Sequence, residues 1–289
     1  MNDYLLSVLL GIIEGLTEFL PVSSSAHLRI AEAAFGVDLG SGYWKMFSIV
    51  IQLGAILVLP IYFWERIVGL LRTFPRGVRG DRTVLTHPVG LTALGFVTTA
   101  IPAFLLTKVI GKNLENLWVM STSLLVGGAA MWAIDALYER GVPRRTTEQM
   151  DEMGLGQAIW IGACQILSAV FPGTSRSMAT IAAGQVAGLS RAAALEFSFF
   201  LSMPVMAAAV GYDLLKSLRH PGAEGSAIGA APVGEHGWII LAIGFVVSFI
   251  VAYGVVAWFM RWVRTRGFVP FAIWRFVVGF GVMAWLLRR

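Results

Sequence analysis

The chain has one cysteine, Cys164, in 289 residues, and only 13% of its residues are charged. A lone cysteine excludes an intrachain disulfide, and the apolar stretch around Cys164 lacks the spaced His or Cys partners of a zinc site, which leaves packing as its role. Polar sequence is scarce as well. No polar block is long enough for a separate soluble domain, and a hydrophobic content of 57% with a mean hydropathy of +0.74 exceeds what ordinary soluble domains carry. The opening residues, Met1 to Tyr4, hold an acid and no Lys or Arg, and the apolar run behind them contains Glu14 and Glu18, so no signal peptide is expected and nothing is expected to be removed. The net charge of +5 does not indicate nucleic acid, because the arginines lie in short connections between apolar segments, where membrane orientation accounts for them.

What is present is a succession of apolar runs. A span needs about 20 mainly apolar residues. Six segments qualify: Met46 to Trp64, Val89 to Leu106, Leu117 to Leu137, Leu195 to Leu215, Trp238 to Met260 and Pro270 to Leu287. Two further regions, Leu5 to Phe35 and Leu155 to Leu189, are apolar, then interrupted by Pro and hydroxyl residues, then helical again. That pattern predicts re-entrant helix-loop-helix segments, whose non-helical backbone has to line a cavity. The expected fold is an all-α polytopic membrane protein, one membrane domain over 1–289, with six transmembrane helices and two re-entrant segments.

The two broken regions align without gaps at an offset of 151 residues, pairing Gly11 with Gly162, Glu14 with Gln165, Pro21 with Pro172, Ser23 with Thr174 and Ser24 with Ser175. Each half, about 1–140 and about 152–289, then holds one re-entrant pair and three spans. An odd number of spans turns the second copy over, so an inverted repeat is expected. Arg66, Arg72, Arg76, Arg79 and Arg82 share one connection, Arg140, Arg144 and Arg145 another, and Arg261, Arg264 and Arg266 a third. Six spans put all three on one side, expected to be the cytoplasm, with the termini and the mouth of the first loop on the periplasmic side; Arg288 and Arg289 weigh against this.

Glu14 and Glu18 are one helical turn apart, on the face that carries Gly11 and Gly15, with Thr17 beside them. A charge in mid-membrane costs roughly 2.5 to 3.5 kcal/mol on insertion scales, so two carboxylates on one face require a cation, a shared proton or water. Function is favoured over a structural ion pair. Pro21 stops this helix, and Ser23, Ser24 and Ser25 stand where the next begins, a terminus whose unpaired N–H groups suit a phosphate, although capping serines are common. His27, three residues after Ser24, is spaced to touch the same ligand and move protons near neutral pH, or to serve as a hydrogen-bonded structural residue. The second loop, Pro172-Gly173-Thr174-Ser175-Arg176-Ser177, supplies a guanidinium instead of carboxylates. Its planar fork suits phosphate, and pairing with Glu14 or Glu18 is the other role open to it. Arg275, Asp135 and Asp213 lie near span ends and are expected to snorkel; Pro60, Pro102 and Pro204 are expected to kink helices, and most tryptophans to anchor at interfaces.

The stretch Glu14-Gly15-Leu16-Thr17-Glu18-Phe19-Leu20-Pro21-Val22-Ser23-Ser24-Ser25-Ala26-His27 resembles the first signature of the bacitracin-resistance family of undecaprenyl-diphosphate phosphatases, and Pro172 to Ser177 resembles the second. The similarity covers essentially the whole chain. It implies hydrolysis of undecaprenyl diphosphate to undecaprenyl phosphate and inorganic phosphate in the bacterial inner membrane, which recycles the lipid carrier for cell-wall synthesis and confers bacitracin resistance. It further implies that Glu14 and Glu18 form the acidic motif, Ser24 and His27 the catalytic loop, and Arg176 the phosphate clamp. Ser23, Ser25, Ser175, Ser177 and Thr180 become supporting substrate-binding hydroxyls, joined by Thr174 and Gln165 from the repeat. Two positions depart from the family pattern: Ala26 stands where Gly typically precedes the His, and Met178 where Gly typically follows the second Ser. Ala26 would resist a positive φ if the loop required one. The nucleophile, Ser24 or His27, stays open, as does whether the glutamates hold Mg2+ or Ca2+ or handle protons. The expected partners are a polyprenyl diphosphate lipid and the membrane, and the oligomeric state stays open, a homodimer included. A transporter or flippase, which also uses broken helices in inverted repeats, and a non-catalytic lipid-binding protein are the rival readings. A phosphatidic-acid-type phosphatase is disfavoured, since its Pro-Ser-Gly-His signature is absent.

Overall fold

The computed structural model describes residues 2–37, 42–107, 116–142, 144–219 and 235–288, less the side chains of 213, 214 and 216–219. Met1, Arg289 and the side chain of Asp213 therefore lie outside the described residues. Helices α1 (Asp3–Thr17) and α2 (Ser24–Phe35) form the first broken pair, followed by α3 (Gly42–Ile56), α4 (Val58–Tyr62), α5 (Trp64–Thr73), α6 (Pro88–Leu105) and α7 (Leu117–Glu139). Helices α8 (Leu155–Val170) and α9 (Arg176–Val186) form the second pair, followed by α10 (Arg191–Arg219), α11 (Glu235–Trp262) and α12 (Val269–Leu287). No strand occurs among the described residues.

Six helical stretches are long and apolar enough to cross a membrane: Tyr43–Tyr62, Pro88–Leu105, Leu117–Glu139, Arg191–Tyr212, Glu235–Trp262 and Val269–Leu287. The protein is a multi-pass membrane protein. The fourth and fifth stretches begin earlier than hydropathy predicts, because a helix continues through polar residues that a count of apolar positions leaves out. The first is interrupted as Pro60 requires: α3 stops at Ile56 and α4 begins at Val58, since Pro60 has no N–H to offer the carbonyl of Ile56. Asn2, His87 and Asn116 cap α1, α6 and α7 by accepting from the N–H groups of Tyr4, Val89 and Trp118.

Each broken pair leans on a span from the other half of the chain. Helix α1 packs on α11 so closely that a Cβ at Gly15 would lie 2.7 Å from the carbonyl oxygen of Ser248. Likewise α8 packs on α6, where a Cβ at Gly162 would lie 2.5 Å from the carbonyl oxygen of Gly95. Small residues allow such backbone contact, which in an apolar setting replaces the hydrophobic driving force with dispersion. Hydroxyls add to this packing: Thr99 Oγ1 donates to the Gly162 carbonyl across the α6–α8 contact, and Ser248 Oγ to the Ile51 carbonyl ties α11 to α3, both at 2.8 Å. Between them lies an aromatic core in which Phe19 meets Phe199 edge-on, with ring centroids 5.5 Å apart.

Polar networks hold the two ends. At one, Tyr4 Oη pairs with His236 Nδ1 at 2.5 Å and Tyr43 Oη donates to the Gly237 carbonyl at 3.1 Å, which ties the starts of α1 and α3 to the start of α11. At the other, Arg66 bonds Asp151 at 2.5 Å and Glu196 at 3.0 Å, joining α5, the 3₁₀ turn Met150–Glu152 and α10. Arg66 and Arg72 stand on helix α5 rather than in an irregular connection.

Two expected snorkelling residues behave otherwise. Asp135 is fully buried and accepts from Arg191 Nε at 3.0 Å and Nη2 at 2.7 Å, Gln185 Nε2 at 3.1 Å and the Phe268 N–H at 2.7 Å. It thus fastens α7 to α9, α10 and the start of α12. Arg275 is also fully buried, in the heart of the bundle. Span position suggested a water-seeking side chain in each case, whereas neighbouring helices supply the partners instead. Replacing Asp135 by Ala leaves the Arg191 guanidinium without its main partner and is expected to destabilise the protein by about 3 to 5 kcal/mol, read as a lower melting temperature in detergent. A variant that melts with the wild type would refute this role.

Candidate active site

The two turns are built alike. Helix α1 ends beside Glu18, whose N–H bonds the Glu14 carbonyl at 2.9 Å; Pro21 follows, and α2 starts at Ser24. Ser23 caps α2 with φ 75° and ψ 93°, its Oγ accepting from the Ala26 N–H. In the second pair Ser175 caps α9 with φ 72° and ψ 123°, its Oγ accepting from the Met178 N–H. These two serines are the positive-φ non-glycine residues among the described ones. Such conformations cost on the order of 1 to 3 kcal/mol each and persist where surrounding structure imposes them.

This geometry pairs the two turns differently from the gapless alignment. The gapless alignment pairs Ser23 with Thr174, yet by backbone and capping role Ser23 matches Ser175, an offset of 152 (175 − 23). One residue is absorbed in the turns, where backbone shape rather than side-chain type sets equivalence. The first helical residues, Ser24 and Arg176, are therefore counterparts.

They converge on one carboxylate. Ser24 Oγ donates to Glu18 Oε2 at 2.5 Å and Arg176 Nη2 to Glu18 Oε1 at 3.1 Å. Ser177 Oγ reaches the Glu18 carbonyl at 3.5 Å. Around this meeting point is a cavity of about 100 Å³ lined by Glu18, Ser23, Ser24, Ser25, Ser168, Ser175 and Arg176. Ser168 escaped sequence reasoning, although its place one turn after Gln165 on the same helix face was the available signal. A larger cavity, about 510 Å³, lies at the arginine-rich end, but Arg66, Arg79 and Arg82 in its wall are balanced by Glu65, Asp81 and Asp151, and no serine lines it.

The other sequence candidates are not in the cavity wall. Glu14 and Gln165 are buried, and neither carboxylate nor amide finds a hydrogen-bond partner among the described residues; the same holds for Arg176 Nη1. Thr180 Oγ1 donates to the Arg176 carbonyl at 2.9 Å and pairs with Ser198 Oγ at 2.6 Å, supporting α9 from behind. Thr174 is half-buried, its N–H on the Phe171 carbonyl at 3.0 Å, and is not in the cavity wall. His27 is also absent from the wall. Its Nδ1 donates to the Ser23 carbonyl at 2.7 Å, its Nε2 accepts from Trp274 Nε1 at 2.9 Å, and the two rings stack at 13°. Both ring nitrogens are engaged, with the tautomer following from these partners. Trp274 thus holds His27 besides facing outward. Neither Ala26 nor Met178 takes a positive φ; that conformation falls on Ser23 and Ser175 instead.

The charges do not balance around a polyanion. Two carboxylates, Glu14 and Glu18, face one guanidinium of the loop, so a diphosphate entering here needs protons or a further cation. No group of three or more His, Cys, Asp or Glu side chains that could hold a metal by itself occurs among the described residues. The unpartnered oxygens of Glu14 next to Glu18 have the chemistry for a shared proton or for a hard cation.

Comparison with known proteins adds an independent finding. The sequence pattern of the family described as bacitracin resistance protein BacA matches residues 7–281. An undecaprenyl-diphosphatase of Koribacter versatilis is 64% identical over 275 residues, 95% of each chain. Undecaprenyl-diphosphatase 1 of Streptomyces avermitilis is 37% identical, covering 93% of this chain and 91% of its own, and an undecaprenyl-diphosphatase of Nitrobacter hamburgensis is 39% identical, covering 95% and 94%.

The second turn depends on Gly173, which has φ 98° and lies so near α7 that a Cβ would stand 2.5 Å from the Met120 carbonyl oxygen. Gly173→Ala is expected to cost more than about 1 kcal/mol, because backbone strain and overlap add. Unchanged thermal stability in detergent would overturn that reading of the turn.

Proposed function

Because the chain belongs to the bacitracin resistance protein BacA family, we propose that it hydrolyses undecaprenyl diphosphate to undecaprenyl phosphate and inorganic phosphate at the two-turn cavity. The observation that carries this reading is the convergence of Ser24 and Arg176 on Glu18. A cavity of about 100 Å³ has room for phosphate but not for a polyprenyl tail, so the tail lies along the apolar spans. Ser24 Oγ attacks the terminal phosphorus, passing its proton to Glu18, while the bond to the bridging oxygen breaks and undecaprenyl phosphate leaves. Water then releases phosphate from the serine. Arg176 is free to turn its unpartnered Nη1 toward the phosphoryl oxygens, where charge stabilisation does most of the catalytic work. His27 holds the first turn through the Ser23 carbonyl, which favours Ser24 over His27 as nucleophile. Ser23, Ser25 and Ser175 offer hydroxyls to the phosphate from the cavity wall.

Mg2+ or Ca2+ held by Glu14 and Glu18 would supply the positive charge that the loop lacks. The broken pairs dip into the membrane from opposite sides, as an inverted repeat. Support comes from the end contacts, since α1 begins beside His236 and α8 beside Thr147, on the arginine-rich side. With that side in the cytoplasm of the inner membrane, the first turn opens toward the periplasm, where the product lipid is made ready for reuse in cell-wall synthesis and bacitracin is resisted.

Purified protein is expected to release phosphate from undecaprenyl diphosphate, with Ser24→Ala and Arg176→Ala each lowering kcat at least about 100-fold and His27→Gln far less. Equal loss in His27→Gln and Ser24→Ala would return the nucleophile to His27, and substrate binding without release by the wild type would favour transport. Chelation is expected to abolish release, restored by Mg2+ or Ca2+; full activity in excess EDTA would exclude the cation. In a Cys164→Ser background, a cysteine substituted for Arg79 should react with a membrane-impermeant maleimide only in inverted membrane vesicles, and labelling in right-side-out vesicles would reverse the orientation.

A further inference from the structure

Arg275 has no role in the chemistry above, yet it is a fully buried guanidinium whose described hydrogen bonds all go to backbone carbonyls. Nε donates to Leu124 at 3.2 Å, and Nη2 to Ser123 at 3.0 Å, both on α7. The remaining bonds reach the two turns: Nη1 donates to the Pro21 carbonyl at 3.3 Å and Nη2 to the Gly173 carbonyl at 2.9 Å. A buried cation without a carboxylate is costly, and an apolar side chain of similar volume would commonly serve stability as well or better. What an apolar residue could not do is satisfy turn carbonyls that have no helical partner.

The two turn carbonyls are equivalent positions. Pro21 precedes Ser24 by three residues and Gly173 precedes Arg176 by three, which follows the same 152-residue offset as the capping serines. One rigid fork therefore grips both turns three residues before the two side chains that meet on Glu18. Helix α7 makes room for it, because a Cβ at Gly127 would overlap Arg275 Nη2, while Gly128 lies against the Arg275 Cβ. We propose that Arg275 is a positioning residue that locks the two turns to each other and to α7, so fixing Ser24 relative to Arg176. The kinetic part of this proposal rests on the phosphatase reading; the coupling of the turns does not.

The test compares full-length wild type with Arg275→Lys, Arg275→Gln and Gly127→Ala in detergent. It measures kcat and KM for phosphate release, and amide hydrogen exchange at 18–27 and 171–178. A misplacement of about 1 Å costs on the order of 100-fold, so kcat should fall by about that factor while KM stays within about 3-fold, set by the lipid tail. Exchange should rise in both turns together, with α7 and α12 still protected. Lys has one compact ammonium and no fork, so it should not rescue. Rescue by Lys would mean that charge alone matters and would overturn the proposal, as would exchange rising in one turn only, or a raised KM with unchanged kcat. If the Arg275 variants do not fold, Gly127→Ala, which keeps the arginine but displaces its guanidinium, decides the matter: wild-type kcat and exchange there refute the coupling. A wild type that releases no phosphate refutes the phosphatase reading instead, and the exchange comparison still decides for or against the coupled turns.

Discussion

A carboxylate removed from water has to be answered by donors, and Glu18 is answered by residues from both halves of the chain. Its two oxygens take Ser24 on one side and Arg176 on the other, so the carboxylate joins the two broken pairs and lines the cavity between them. Such charge-assisted bonds are stronger than neutral ones and gain weight where water is scarce. The rest of the bundle follows from keeping this junction closed. The backbone contacts of Gly15 with α11 and Gly162 with α6 bring each broken pair against the opposite half, and the aromatic core around Phe19 and Phe199 fills the space beneath.

The junction is nonetheless incomplete, and the incompleteness has a pattern. Glu14, Gln165 and Arg176 Nη1 are buried without partners among the described residues, in a protein whose other buried charges are well satisfied: Asp135 accepts four hydrogen bonds and Arg275 donates four. Buried polar groups are ordinarily paired, and three of the groups that are not, with only the Thr92 hydroxyl besides them among the described residues, belong to the candidate residues of the two broken pairs, which supports the site proposed above. Other polar networks, at the arginine-rich end and behind the turns, are paired within the protein.

Much of the candidate site is legible in the sequence because it is local. Glu14, Glu18 and Ser23 to Ser25 follow from helix spacing and a proline stop, and Arg176 from the sequence of the second loop. A capping serine before α2 is expected from Ser23 to Ser25, whereas the cap of α9 by Ser175 and the positive φ of both serines come from the structure, since L residues seldom adopt that conformation and nothing in composition announces it. The concern over Ala26 dissolved for the same reason: the unusual backbone sits three residues earlier, on Ser23. His27 was expected near the ligand by its spacing from Ser24, but its ring is held by Trp274, some 247 residues away in sequence, a partner that no local pattern could supply.

The sequence by itself determined the helical, membrane-spanning character, the two broken regions and the residue types of the site, because hydropathy, proline and capping chemistry act within one or two helical turns. The tertiary structure alone decided which of those residues meet. The one-residue shift of the repeat, the sharing of Glu18, the burial of Asp135 and Arg275, and the engagement of His27 all depend on helices far apart in sequence packing at van der Waals distance. A side chain near a span end reaches for water when its neighbours are lipid and for protein when other helices close over it. The choice between those outcomes is made by packing, which a linear pattern does not contain.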